Sequence, residues 1–468
     1  MNSRTCLGVR VGRGVSRAVL VVTALSVAGC TSFLDVENPN NVGDASLGNS
    51  AAAPSIVNGA GGATSRALNS LLAPYGAVTD ELAWSGSRDA FKQLDDGGVS
   101  DPANEYVDAA SFQLSEARYL TEEAINRLLG FQKDGTLANP NDLARGYLFA
   151  AVVFRVIPDM FDDYVVGSYR TENAAPVGEA NMATLYDKSI DYATKGLALA
   201  TDNATKTSLT AVRASARFNK AVWAKLNPGG TTPPAQPLVN DAAAATDAAA
   251  AYALMSGPKF RFEINPNVTA TGNPSSGFEI NQRLELSAGD EYATHNSAFT
   301  RVAAIALNDP ITGQPDPIVS EMIERCCKVN AGFNVDGNYI PFAVSSGIDM
   351  QLIIAEVALA SGNTATFQTA INTIRSAYGL PDWTPVSSVS ANAILQHERR
   401  VGLFMQGRRL SDMYRFGVKS TFSRRPNSQG VWTALSDAGK RVGCFFSIPV
   451  SERLSNPKVT AQPSCRQQ

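Results

Sequence analysis

Residues 391–417 read ANAILQHERRVGLFMQGRRLSDMYRFG, and the rest of the chain is organised around them. The stretch has no proline. Ile394, Val401, Met405, Leu403, Leu410 and Met413 recur at helical spacing, which predicts an amphipathic helix. Its other side carries Arg399, Arg400, Arg408, Arg409 and Arg415, opposed only by Glu398 and Asp412. Composition alone makes this a solvated basic face. Arg408 with Asp412 and Asp412 with Arg415 stand at pairing distance along a helix, each pair contributing a few tenths of a kcal/mol if exposed. Gly402 and Gly407 interrupt the pattern. Each costs about 1 kcal/mol against alanine inside a helix, so each is expected to mark close packing or a break.

The bulk properties bound the function. The chain has 468 residues, 44% hydrophobic and 18% charged, enough for a large core in one or two domains. A net charge of −3 gives no reason to expect a nucleic-acid partner. Only His295 and His397 are present, so histidine-based metal sites and catalytic triads are nearly excluded on supply.

The first thirty residues read as a targeting segment. Arg4, Arg10, Arg13 and Arg17 precede the apolar run Val19–Ala28, which is too short to span a bilayer. It ends Leu25-Ser26-Val27-Ala28-Gly29-Cys30. Small residues ahead of a cysteine form a lipobox, so residues 1–29 are expected to be a lipoprotein signal and Cys30 the lipidated mature start. Several acyl chains hold a soluble domain stably on a membrane. Residues 30–50 are polar and aperiodic and are expected to form a flexible tether.

Residues 51–240 are predicted mostly helical. The segments 116–131, 143–156, 183–199 and 208–226 each place apolar residues and alanines three and four apart. Helix pairs in series give a tetratricopeptide-like layout, although the strict repeat signature is missing. Residues 71–98 differ: Tyr75, Trp84 and Phe91 stand among Asp80, Glu81, Arg88 and Lys92. Aromatic faces beside carboxylates and guanidiniums suit sugar or peptide recognition. Tyr75, Trp84 and Arg88 are the candidate ligand contacts. The competing reading is that Trp84 simply packs its segment into the core.

Residues 225–239 are rich in Pro and Gly, and 241–254 in alanine. From 241 to 345 an irregular, ligand-side excursion is expected, with a hairpin or extended structure over 259–280. Asp309, Asp316 and Asp336 are the candidates for a structural calcium ion. They lack EF-hand spacing and read as solvated loop acids, so no cofactor is expected. Cys326, Cys327, Cys444 and Cys465 remain for disulfides and allow three pairings. Cys444–Cys465 with a vicinal Cys326–Cys327 bond is favoured, and crossed pairing stays open. Residues 346–468 return to helices and are expected to pack on the same domain.

Four segments carry a resemblance. Glu398-Arg399-Arg400, Gln406-Gly407-Arg408-Arg409 and Asp412, Arg415, Phe416, Gly417 form the first. The second is Leu352-Ile353-Ile354-Ala355-Glu356 through Gly362-Asn363 to Ala370–Arg375. Ile448-Pro449 through Glu452 to Asn456-Pro457 is the third, and Thr31–Asn40 after Cys30 the fourth. Together they resemble the SusD/RagB family of outer-membrane nutrient-binding lipoproteins. Gly402 and Gln406 stand where that family usually has glutamates. A looser match joins Ala144-Arg145 to the Phe161-Asp162 loop.

The resemblance implies a mostly α, tetratricopeptide-like scaffold with irregular excursions and little β. It also implies a non-enzymatic protein, anchored in the outer membrane and facing the cell surface. Such a protein would capture an oligosaccharide or peptide and pass it to a TonB-dependent, SusC-like transporter. In that family the 391–417 segment is structural core. Two other readings compete: a helical-repeat scaffold binding only proteins, and an all-helical glycoside hydrolase. A hydrolase needs two carboxylates about 5–10 Å apart across one bond. The adjacent pairs Asp80/Glu81, Asp95/Asp96, Glu122/Glu123 and Asp162/Asp163 diverge on a helix by about 100°.

Overall fold

The structure is a computed structural model that describes residues 46–167, 173–227, 233–264, 276–296, 302–327, 340–418 and 445–461. Helices dominate it. They are α1 (Ala53–Ala77), α2 (Asp89–Asp95), α3 (Glu105–Lys133), α4 (Pro140–Met160), α5 (Ala183–Leu197), α6 (Asn203–Leu226) and α7 (Ala242–Tyr252). After the excursion come α8 (Pro317–Cys326), α9 (Gly347–Ala360), α10 (Thr364–Ala377), α11 (Ala391–Gly402), α12 (Arg409–Phe416) and α13 (Val450–Ser455).

The starts of these helices are chemically marked. Asn104, Asn139, Asp202, Asp241, Asp316, Ser346, Asn363 and Ser390 each accept a backbone N–H from the first turn that follows. Each such cap is worth about 1 kcal/mol. Pro140 and Pro317 sit at first helical positions, where the missing N–H costs nothing.

Neighbours in sequence pack as neighbours in space. Helix α3 lies against α1 and α4, α5 against α4 and α6, and α7 against α6. The C-terminal helices continue the stack, α9 against α7 and α10 against α9. One buried apolar cluster runs from Ala63 to Phe446, so the two ends of this stack share a core. The expected mostly α, helical-pair architecture is therefore present.

Short strands run through the excursion and tie it back to the segment ahead of α2. β1 (Leu82–Trp84) pairs antiparallel with β3 (Leu286–Ala288), β2 (Arg261–Ile264) with β6 (Phe342–Ser346), and β4 (Ala293–His295) with β5 (Val302–Ile305). Of the hairpin or extended structure expected over 259–280, β2 supplies an extended segment, and residues 265–275 lie outside the described residues. The partner of β2 lies about eighty residues on, because β6 offers a fully buried edge, Phe342 to Ser346, directly ahead of α9. Residues 290–301, read as irregular, include β4, which turns back onto β5.

The decisive segment is two helices, not one. The chain breaks between α11 and α12, with Met405 at φ 56° and Gly407 at φ 71°. Glycine adopts that left-handed region freely, whereas methionine is strained there. The strain at Met405 is held by Glu81, whose Oε1 accepts the Met405 N–H at 2.7 Å. Gly402 marks close packing instead. A Cβ there would meet Ile348 Cγ2 at 2.5 Å, well inside contact distance. Gly402→Val is therefore expected to cost about 1–3 kcal/mol through overpacking. A denaturant titration would read this as a lowered midpoint, and an unchanged midpoint would refute the close packing of α11 on α9.

Candidate functional site

The arginine face of 391–417 is buried rather than solvated. Arg399, Arg408 and Arg409 are nearly inaccessible and Arg415 is fully so. Each guanidinium finds a carboxylate. Arg409 grips Asp80 through two hydrogen bonds of 2.6 Å, and Arg400 reaches the same carboxylate at 3.2 Å. Arg408 donates to Asp159 at 2.6 Å, which also accepts from Tyr186 Oη and Asn219 Nδ2. Arg399 is bidentate on Asp412 at 2.9 and 3.1 Å. Arg415 takes Asp412 at 2.9 Å and both oxygens of Glu356. The expected Asp412–Arg415 pair forms. The expected Arg408–Asp412 side-chain pair does not, because Arg408 turns inward to Asp159. Where glutamates are usual in the family resembled, Gln406 donates to the Gly402 carbonyl at 2.9 Å.

This lattice sets the protonation of its members. Burial pushes Asp80 upward, but Arg409 and Arg400 outweigh it and hold the carboxyl at about 2. Glu81 beside it has no bonded guanidinium, and burial raises it to about 8. Burial likewise raises Glu398 to about 7, against the pull of His397 and Arg375. These groups hold α11 and α12 to α1, β1, α4 and α9. Their work is positional.

A different face offers access. Helix α2 and the start of α3 border an open groove of about 700 Å³, lined by Ser87, Arg88, Asp89, Gln93, Asn104 and Glu105 among others. The groove is built by exact local bonds. Glu285, just ahead of β3, accepts the backbone N–H groups of Ser87 and Arg88 at 2.6 and 2.8 Å. Asn104 caps α3 and donates to the Ala90 carbonyl at 2.9 Å. Phe91 is buried, and Tyr106 stacks on it with ring centroids 3.8 Å apart. Trp84 lies beside the same helix, half-buried, with Lys92 Nζ 5.9 Å from its ring centroid. A π-helical turn, Phe278–Gln282, brings Glu279 into the electrostatic field of Arg88, Arg283 and Glu105. Burial raises Glu279, and burial together with Glu279 lifts Tyr106 to about 12. Arg88 Nε is a buried atom without a hydrogen-bond partner, so polar capacity is left over there, while Glu279 Oε2 faces Arg283 Nε at 3.8 Å.

Residues 349–462 match the family model described as the SusD family. The C-terminal part of the chain is thus similar to the SusD family. Solved SusD-superfamily structures share its fold. One from Bacteroides vulgatus aligns with TM-score 0.55 at 13% identity, covering 88% of this chain and 98% of that one. One from Parabacteroides distasonis aligns with TM-score 0.57 at 16% identity, covering 88% and 99%. A SusD-like carbohydrate binding protein, also from Bacteroides vulgatus, aligns with TM-score 0.56 at 11% identity, covering 90% and 100%. No curated protein matches the chain.

Within this SusD/RagB-like fold the sequence-derived candidates separate. Arg88 lines the groove, whereas Trp84 lies against α2 at Lys92 and Asp95 and is not among the lining residues. Tyr75 does not line it either: it is 2% exposed, and its hydroxyl accepts the Leu410 N–H at 3.2 Å. Its aromatic neighbourhood in sequence belongs to the core seam between α1 and α12, so it is withdrawn as a ligand contact. Glu105, which lines the groove, was not singled out. An Asn-Glu-aromatic run at 104–106, with the asparagine capping α3, was the one local signal.

Of the acids considered for calcium, Asp309 is already paired with a guanidinium. Asp309, Asp316 and His397 bring ligand atoms within 4.8 Å of one another. Arg375 Nη1, however, donates to Asp309 and Glu398 at 2.7 Å each, and His397 bonds Asp316 at 2.7 Å. A guanidinium supplies the positive charge that a cation would bring. Asp336 lies outside the described residues, as do Cys30, Cys444 and Cys465. Cys326 and Cys327 are joined, and Asn281 Nδ2 donates to the Cys326 carbonyl at 3.0 Å.

Proposed function

We propose that this protein is a non-catalytic, lipid-anchored outer-membrane binder that captures an oligosaccharide and passes it to a TonB-dependent, SusC-like transporter. The observation that carries the reading is the open α2–α3 groove lined by Arg88, whose Nε holds unspent hydrogen-bonding capacity, on the helix that Trp84 packs along at Lys92. An indole face covers the apolar side of a sugar ring while charged groups take its hydroxyls. The SusD-like carbohydrate binding protein of the same fold supports a sugar as the ligand. The lipobox ending at Cys30 supports the anchor, and 30–50 the tether, residues 51–240 and 346–468 the scaffold and 241–345 the ligand-side excursion. Among the described residues no helix is long and apolar enough to cross a membrane.

A binding rather than hydrolytic role is supported by what the paired acids do. Asp80 is held by two arginines, Glu81 by the Met405 amide, and Glu122 by Arg118 and Tyr192. None of these three borders the groove.

Trp84→Ala tests the reading. It is expected to weaken oligosaccharide binding about tenfold, the size of one lost ring contact. Isothermal titration against a panel of neutral oligosaccharides would measure it, with circular dichroism confirming the fold. Equal affinity for the variant and the parent would move the site elsewhere.

A further inference from the structure

The charges around the groove are unbalanced. On its wall Asp89 and Glu105 stand against Arg88; close by, Glu279 and Glu285 stand against Arg283, which lies 3.8 Å from Glu279. Lys92, the next cation along α2, is already paired with Asp96. Glu285 spends its charge on the amides of Ser87 and Arg88 and lies 3.9 Å from Arg283, while Glu105 is exposed at the first turn of α3. An approaching ligand therefore meets Asp89 and Glu105 against Arg88 on the groove wall, and Glu279 and Glu285 against Arg283 close by, an excess of one negative group in each set.

From this excess we infer that the groove selects uncharged or amino-sugar oligomers and rejects polyanionic ones, such as uronate or sulfated chains. The inference rests on the oligosaccharide-binding reading above and deepens it to a ligand class. Two uncompensated charges about 7 Å from a ligand carboxylate, in a water-filled groove, discriminate by about tenfold. The discrimination is electrostatic and weakens as salt shortens the screening length. A purely steric preference would not respond to salt.

The experiment is titration calorimetry of the full chain with three probes of equal length: a neutral glucan oligomer, a glucosamine oligomer and an oligogalacturonate. Each is run at low and at high salt. The neutral and amino-sugar probes are expected to bind at least about tenfold more tightly than the oligogalacturonate at low salt. The gap should narrow at high salt. In the Glu105→Gln, Glu279→Gln double variant it should also narrow at low salt. Oligogalacturonate binding as tightly as the neutral probe would overturn the inference while leaving the binding function standing. So would a gap unchanged by salt and by the double variant. Failure of all three probes to bind, with Trp84→Ala indistinguishable from the parent, would remove the site and the inference together.

Discussion

Arg409→Met is expected to destabilise the protein by about 3–5 kcal/mol, the cost of leaving a buried charge without its partner. Asp80 is 5% exposed and spends both oxygens on Arg409. Without that fork, Arg400 at 3.2 Å is the remaining guanidinium, and it is shared with Glu291. The Tyr292 hydroxyl, 3.3 Å from Asp80 Oδ1, is a weak substitute. The number is the cost of breaking the pair, not its net worth. A well-packed apolar pair in the same place can be as stable as a buried ion pair. Asp80→Asn with Arg409→Met should therefore recover part of the loss, and a double-mutant cycle in denaturant measures the coupling. A single-variant loss below about 1 kcal/mol would mean that Asp80 is not locked as described.

The second large effect is a stability that falls as pH rises from about 5 to 8. Glu81 goes from an ordinary 4.5 in the open chain to about 8 when folded, and Glu398 from 4.5 to about 7. Across that window the folded state holds protons that the unfolded state has released, so raising the pH favours unfolding. At 1.36 kcal/mol per pH unit, Glu81 alone accounts for up to about 5 kcal/mol by pH 8. Asp80 acts in the opposite sense. Its folded value near 2 gives stability that is complete above about pH 4 and lost as the pH drops toward 2. The maximum is thus expected in mildly acidic solution. Glu81→Gln keeps an acceptor for the Met405 N–H and removes the ionisation. It should flatten the upper limb of a denaturation midpoint measured against pH. A limb equally steep in the variant would clear Glu81 of the effect.

Much of the helical scaffold could be read locally. Segments 116–131, 143–156, 183–199 and 208–226 fall within α3, α4 and α6 or on α5, because apolar spacing and caps such as Asn104 and Asp202 act over one or two turns. What escaped depends on partners far along the chain. The break at Met405 is fixed by Glu81, 324 positions earlier, and the arginines are buried because Asp80 and Asp159 receive them. Nothing near Arg408 announces Asp159. Strand β2 finds β6 for the same reason.

The groove was half legible. Trp84 and Arg88 stood out as an aromatic and a cation among acids. Tyr75 gave the same local signal and turned inward, since side-chain direction at the end of α1 is decided by what α12 brings against it. Glu279 comes into the field of Arg88 and Glu105 through a π-helical turn that no alternation or helical period marks.

The most direct test of the account is isolation of the full chain from its native membrane in mild detergent, followed by mass spectrometry. The account predicts an equimolar outer-membrane barrel with a TonB-binding region, and lipid mass on Cys30. Recovery of an unlipidated protein from the soluble fraction, with no barrel attached, would contradict it.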